Sequence, residues 1–357
     1  MKIGIINSGG DCPGLNAVIH SIVRTARKHG DETVGFKDGF QGILDGSDLI
    51  PLTLENTENI SKLGGTILGS SNRNRLLNTV NSQSESELVE HICEARERLD
   101  KESIGAYIVV GGEGSLRFAH KLHQLGWPII GIPKTIDNDL SATAMTFGFD
   151  SAVTTVVDGL DRLHTTAESH SRIMVLETMG RNAGWIALWG GIAGGANVIL
   201  IPEIPFDIVK VADFINNRDA EYQKGCLVVV AEGATTPSGD QIYSKVESTG
   251  HSRLGGIGQW VADELEKRTN KDVRYCALGH LQRGGSPTAL DRVLGARFGV
   301  KAVQIAKKGQ FGRMVSYQSY KVDTVPLDRV VNSLKQVDPL GEMVNTAKSI
   351  GIHMGDD

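Results

Sequence analysis

Cysteine is scarce. Cys12, Cys93, Cys226 and Cys276 are the only four in 357 residues, and none shares the CxxC spacing of a zinc or redox site. That excludes a disulfide framework and implies reduced thiols in a cytoplasmic protein. Charge of one sign is not in excess either. Thirty-seven Lys and Arg against 42 Asp and Glu leave a net charge of −5, which offers no basic footprint for nucleic acid. No apolar run approaches the ~20 residues that cross a bilayer. The opening "MKIGIINSGGD" passes from a short apolar run straight into glycines, with no cleavage pattern. The expectation is no nucleic-acid partner, no membrane and a cytoplasmic location. Aromatics make up only 5%, whereas glycine occurs 43 times among recurrent apolar segments. That pattern calls for tight turns and close backbone approaches rather than disorder.

Short apolar runs alternate with amphipathic stretches, the signature of α/β layering. "KIGIIN" (2–7) reads as a buried strand, followed by a helix with Leu15, Val18, Ile19, Ile22, Val23 and Ala26 on one face. Further strands are expected at 106–112, 172–179, 226–233 and 273–280, with helices near 151–168, 254–269 and 288–308. The last stretch carries no clear motif. The expected fold class is α/β: two Rossmann-like α/β lobes with mostly parallel sheets, and the active site in the crevice between them. The lobes are expected at 1–140 plus part of the C-terminal segment, which binds nucleotide, and at about 141–310, which binds a sugar phosphate.

Three loops follow predicted strands, at the end where α/β sheets bind ligands. "NSGGDCPGLN" (7–16) lets backbone amides near Gly9 and Gly10 approach an anion, helped by the next helix N-terminus. It lacks the GK[ST] of a P-loop and the GxGxxG of a dinucleotide fold, and alone it fits a plain turn equally well. "VVGGEGSL" (109–116) suits a nucleotide phosphate with a cation. Gly112 and Gly114 open the turn, Glu113 is the candidate magnesium residue, and Ser115 is placed to cap the helix or bond a phosphate. "PKTIDND" (133–139) reads as a loop leaving a sheet edge. A carboxylate on such a loop suits the base that phosphoryl transfer needs, and Asp137 is that choice. Thr135 would bond the moving phosphoryl and Asp139 would order the base or the cation. Arginines at strand ends, Arg172, Arg181, Arg274 and Arg283 with His280, suit phosphate clamps because guanidinium offers forked donors.

"NSGGDCPGLNAVI", "GGEGS", "PKTIDND", "MGR", "AEG" and "GHLQRGGSP" resemble, in order and approximate spacing, the motifs of the phosphofructokinase family over roughly residues 1–310. The resemblance implies magnesium-dependent transfer of a phosphoryl group to the 1-hydroxyl of fructose 6-phosphate. It makes Asp137 the base, with Thr135 and Asp139 beside it. It puts Gly9 and Arg181 near the transferred phosphoryl and Met179, Gly180 and Glu232 along the sugar. It assigns Arg172, Arg274, His280 and Arg283 to the sugar phosphate. Arg172 and Arg274 would reach across from a neighbouring subunit, which implies a homo-oligomer, a tetramer or dimer with shared active sites. Glu113 stands where the family carries its magnesium-associated aspartate. Phe40 falls where an aromatic commonly packs on adenine. In "GSSNRNR", Arg73 is the substitute for an arginine that reaches the donor phosphates, with Arg75 as the other choice.

Lys134 and Gly114 bear on the donor. In the resembled family typical bacterial ATP enzymes carry glycine where Lys134 stands, and pyrophosphate enzymes carry lysine. The pyrophosphate enzymes tend to have aspartate where this chain has Gly114, and that side chain would intrude on the α-phosphate of ATP. Gly114 leaves the space open, whereas either donor tolerates the point charge of Lys134. The expected donor is therefore ATP, with pyrophosphate as the alternative. An NAD- or lipid-type kinase and a non-catalytic sugar-phosphate-binding subunit are distant alternatives. The first does not need the arginine set, and the second has no use for Asp137.

Overall fold

The computed structural model describes residues 1–45, 49–71, 85–222, 225–239, 243–246, 252–254, 256–331 and 333–356. In chain order the first elements are β1 (Lys2–Asn7), α1 (Leu15–Lys28), β2 (Glu32–Phe36), α2 (Phe40–Asp45), β3 (Leu49–Leu52), α3 (Glu85–Asp100), β4 (Ile104–Gly111), α4 (Glu113–Gln124) and β5 (Ile129–Pro133). Next come α5 (Phe149–His170), β6 (Ile173–Thr178), α6 (Trp185–Ala193), β7 (Val198–Leu200), α7 (Ile208–Tyr222), β8 (Cys226–Ala231), β9 (Tyr243–Val246) and β10 (Ser252–Leu254). The last are α8 (Ile257–Arg268), β11 (Val273–Ala277), α9 (Ala289–Lys307), β12 (Arg313–Gln318), β13 (Lys321–Pro326) and α10 (Glu342–Ser349).

The chain divides into two compact units. The first holds Met1–Ile136, Leu140–Ser151 and Arg283–Leu334; the second holds Asp137–Asp139, Ala152–Gln282 and Lys335–Asp357. This division differs from the expected lobes near the boundary at 140 and again toward the C-terminus. Asp137–Asp139 belong to the second unit and residues 141–151 to the first, while helix α9 belongs to the first unit and the segment after Leu334 to the second. Helix α9 joins the first unit because it packs on α1. A Cβ on Gly299 would collide with Ser21 Oγ, and one on Gly295 would stand 3.2 Å from Gly14 O, so the helices approach as only glycine permits.

The first unit has a sheet ordered β13-β12-β5-β4-β1-β2-β3. Its central strands β12, β5, β4, β1 and β2 are parallel, and an antiparallel strand lies at each edge. β5 is therefore an interior strand, not the sheet edge expected for "PKTIDND", because the β12–β13 hairpin pairs beyond it. The run "IVVG" of β4 is buried throughout, as a strand covered on both faces requires. All six apolar positions expected on the buried face of α1 are buried.

The second unit has a four-stranded sheet, β11-β6-β8-β7, parallel throughout. Its core gathers Val175, Val228, Val230, Ile215, Val261 and Leu265. At its C-terminal strand ends the buried carboxylate of Glu177 accepts hydrogen bonds from Gly256 N (3.1 Å) and Gly258 N (2.8 Å), capping the start of α8.

Candidate active site

The first unit brings three motif loops to the C-terminal ends of adjacent parallel strands, β1, β4 and β5. Gly9 adopts φ +84°, a conformation that favours glycine. A Cβ there would also meet Lys134 Nζ and Ser115 Oγ, each at 3.3 Å. Ser115 Oγ donates to Ser8 Oγ at 3.0 Å, and Ser70 Oγ donates to Gly9 O at 2.5 Å. Lys134 is buried, and its ammonium donates to the carbonyl of Gly10. Its backbone N–H donates to Gly111 O at 2.9 Å, tying the second loop to the third. Gly112 precedes α4, and Glu113 opens it, forming an ion pair with Arg117 one turn on. Gly114 is different: a Cβ there would meet nothing within 4 Å. Arg283 also lies in this unit, so close to Gly10 that a Cβ on that glycine would collide with its guanidinium. Arg283 Nη1 donates to Asp11 O at 3.4 Å.

The second unit gathers another set at the ends of β6 and β8. Gly180 has φ +133°, and a Cβ on Gly233 would strike the carbonyl of Arg181. Glu232 N donates to Thr178 O (2.8 Å) and Gly233 N to Gly180 O (3.2 Å), so "MGR" and "AEG" form one ledge. Met179 N donates to Oε1 of the fully buried Gln282 at 2.8 Å. Arg181 is exposed and Glu232 half-buried. Asp137, Asn138 and Asp139 belong to this unit; Asn138 is buried with φ +51°, while the two carboxylates are half-buried.

Arg172 and Arg274 lie elsewhere in the same unit. Both reach Asp272, at 3.3 and 3.4 Å, at the amino-terminal starts of β6 and β11. The six residues of β6 separate them from Met179 by roughly 20 Å at ~3.3 Å per residue. Within one subunit, therefore, they do not line the same ledge. His280 is exposed in the helical turn Gly279–Arg283.

Phe40 requires a correction. It is 1% exposed and packs edge-to-face on Phe118, 4.7 Å between centroids, in the core under α2 and α4. It has no free face for adenine. Arg73 and Arg75 lie outside the described residues. Cys12 is a buried packing residue: burial pushes its thiol up to about 12, so no nucleophilic thiolate forms near neutrality. Three supporting residues, Glu203, Asp291 and Lys335, had no motif to point to them, and Gln282 lies within "GHLQRGGSP" but carries no chemistry that singles it out. A cavity of about 980 Å³ is lined by Lys2 and Glu32 at the starts of β1 and β2 with Arg27 of α1 and Arg98 of α3, none of them in a motif loop.

For a cation the residues present are few. Among the described residues no group of three His, Cys, Asp or Glu side chains could hold a metal ion. Glu113, one carboxylate beside the open Gly114 turn, fits magnesium that is held largely by phosphate oxygens and water. It does not fit a metal caged by protein alone.

A family model described as "Phosphofructokinase" matches residues 2–306. The chain belongs to the phosphofructokinase family. Among curated relatives, the ATP-dependent 6-phosphofructokinase of Chloroflexus aggregans is 47% identical over 356 residues, covering 100% of this chain and 98% of the relative. The pyrophosphate–fructose 6-phosphate 1-phosphotransferase of Amycolatopsis methanolica is 48% identical over 342 residues, covering 95% and 97%. Among solved structures, Pichia pastoris phosphofructokinase in the T-state superposes with a TM-score of 0.79 at 30% identity. That match covers 92% of this chain and 35% of the longer yeast chain. This phosphofructokinase-family chain thus resembles relatives that use either donor at nearly equal identity, so overall similarity does not separate ATP from pyrophosphate. Among its described residues, no helix is long and apolar enough to cross a membrane.

Proposed function

We propose that the chain is an ATP-dependent 6-phosphofructokinase that makes fructose 1,6-bisphosphate and ADP in the cytoplasm. The observation that carries the choice of donor is the open space at Gly114. An α-phosphate needs that space, and the aspartate that the resemblance associates with pyrophosphate use would fill it. Lys134 does not weigh against ATP, because its ammonium is engaged with the Gly10 carbonyl, where it braces the first loop.

In this reading the loops at Gly9, Gly112 and Ser115 hold the donor phosphates through backbone amides and a hydroxyl. Glu113 would hold magnesium, which supplies charge neutralisation on the donor phosphates. Met179, Gly180 and Glu232 orient the sugar, and His280 and Arg283 bind its phosphate. Asp137 accepts the proton of the sugar 1-hydroxyl as its oxygen bonds to the γ-phosphorus, and the bond from that phosphorus to the bridging oxygen breaks to release ADP. Thr135 and Arg181 bond the phosphoryl in flight, and Asp139 orders the base. Arg172 and Arg274 serve the active site of a neighbouring subunit, which accounts for their distance from Met179 within one subunit and makes the active form a homo-oligomer.

The test is fructose 1,6-bisphosphate formation by the purified chain from fructose 6-phosphate and magnesium, with ATP in one arm and pyrophosphate in the other. Turnover with ATP alone is expected. Turnover with pyrophosphate alone would overturn the donor assignment, and none with either would overturn the activity.

A further inference from the structure

Residues after about 310 carry none of the motifs, yet the segment Lys335–Val337 touches "PKTIDND" and the stretch that follows "MGR" within the second unit. On one side, Lys335 Nζ donates to Asn138 Oδ1 at 2.9 Å and Lys335 N donates to Asp139 O at 2.7 Å. On the other side, Trp185 Nε1 donates to Lys335 O at 2.8 Å, and the Lys335 ammonium lies 5.7 Å from the Trp185 ring centroid. Gln336 Nε2 donates to Asn182 O at 3.1 Å. Val337 N donates to Glu203 Oε1 at 2.8 Å, and that carboxylate also accepts from Gly184 N at 3.0 Å. Glu203's carboxyl is pushed above the ordinary range by burial, with the two backbone donors pulling it back down.

We propose that Lys335 is a positioning residue for phosphoryl transfer, fixing the Asp137–Asn138–Asp139 turn against the segment that follows Arg181. This rests on the reading of Asp137 as the base. Asn138 holds a left-handed backbone (φ +51°) although it is not glycine, a conformation that persists where surrounding contacts over-determine it. The Lys335 side chain and backbone supply two of those contacts, one to Asn138 and one to its neighbour. Because the carboxylates of Asp137 and Asp139 flank Asn138, rotation of that peptide re-aims both. A base works only within hydrogen-bond reach of its proton, and misplacement of ~1 Å costs on the order of 10²-fold.

The ammonium is well suited to this task and also vulnerable. Burial pushes Lys335 down to about 8, against the pull of the Asp139 carboxylate. Asn138 and Trp185 face it as neutral groups. Loss of its proton removes the charge that holds Asn138 Oδ1 and faces the Trp185 ring.

The experiment measures kcat, both KM values and the kcat–pH profile of the full-length chain and three variants, Lys335→Met, Lys335→Arg and Asp137→Ala. Lys335→Met is expected to lower kcat by at least ~10-fold with both KM values within about twofold, as misplacement of a group that acts in the transition state predicts. Wild-type kcat is expected to fall on an alkaline limb near pH 8, and Lys335→Arg, which does not titrate there, to lose that limb. Wild-type kcat in Lys335→Met, or a loss confined to KM or thermal stability, would overturn the proposal. If Lys335→Met does not fold, Lys335→Arg decides it alone: an alkaline limb unmoved by arginine overturns it. Near-normal turnover of Asp137→Ala would instead overturn the assignment of the base, separating that failure from this one.

Discussion

The motif loops of the two units are braced by different means. In the first unit most of the braces come from the motifs themselves, with Ser70 on Gly9 O the addition from outside them. Lys134 of "PKTIDND" holds the Gly10 carbonyl of "NSGGD", Ser115 of "GGEGS" holds Ser8, and Lys134 N–H holds Gly111. In the second unit much of the bracing is borrowed. Gly184 leans on Glu203 and the Asn138 turn on Lys335, 197 residues away in sequence, while Met179 leans on Gln282 of "GHLQRGGSP". Three neighbouring parallel strands explain the first case, because loops leaving adjacent strand ends fall within a side chain's length of one another. In the second unit the sequence-distant supports arrive from helical turns and from the last segment of the chain. A motif alignment therefore reads most of the loop set of the first unit and only part of that of the second.

The sharpest way to break that comparison is at the base. Asp137→Ala is expected to keep the fold and sugar-phosphate affinity while kcat falls by at least ~10²-fold, the low end for loss of a general base. Near-normal turnover would move the chemistry away from this loop.

Asp291 tests whether support outside the motifs in the first unit serves stability rather than turnover. Its buried carboxyl accepts from Ser151 N (2.8 Å) and Ser151 Oγ (2.6 Å) and is pushed up to about 6 by burial, with the Ser151 donors pulling it down. The folded chain holds this proton more tightly than the unfolded chain does. The resulting stability is full below about pH 4 and is lost as pH rises through about 6. At ~1.4 kcal/mol per unit the loss is about 3 kcal/mol. Denaturant titrations from pH 4 to 7 should show this slope in the wild type and not in Asp291→Asn, with kcat at pH 7.5 unchanged between them. Parallel stability curves would remove Asp291 as the titrating group.

Gln282→Ala probes the brace that joins "GHLQRGGSP" to "MGR". It leaves the Met179 N–H without its partner, which costs ~1–3 kcal/mol of stability. The kinetic expectation is a rise in KM for fructose 6-phosphate with KM for ATP unmoved. Equal changes in both would mean that Gln282 does not act through the sugar ledge.

The smallest effect, and the most selective, belongs to Gly114→Asp. Nothing lies within 4 Å of a Cβ there, so the fold should tolerate it, with the thermal midpoint unchanged. ATP-dependent kcat/KM should fall on the order of tenfold more than any pyrophosphate-dependent rate, the scale of a single unfavourable charge contact. Equal loss with both donors would remove the steric argument.

Much of this was legible in the chain. Alternating apolar runs set the strands, and period-3.6 faces such as Leu15 to Ala26 set the helices, because burial of one face is local information. The glycine loops were legible because left-handed or crowded backbone at Gly9 and Gly180 admits few other residues. Phe40 was misread. An aromatic beside a nucleotide motif looks the same in sequence whether its ring faces a ligand or, as here, Phe118.

By itself, then, the sequence determined the layering, the strand-end loops and the residue types on them, since those depend on neighbours a few positions apart. Only the tertiary structure decided that α9 seats on α1 through Gly295 and Gly299, that β5 is interior, and that Gln282, Glu203 and Lys335 brace loops they never adjoin in sequence. Those outcomes are set by long-range packing and by the need of buried polar groups for partners, which no local pattern of residues encodes.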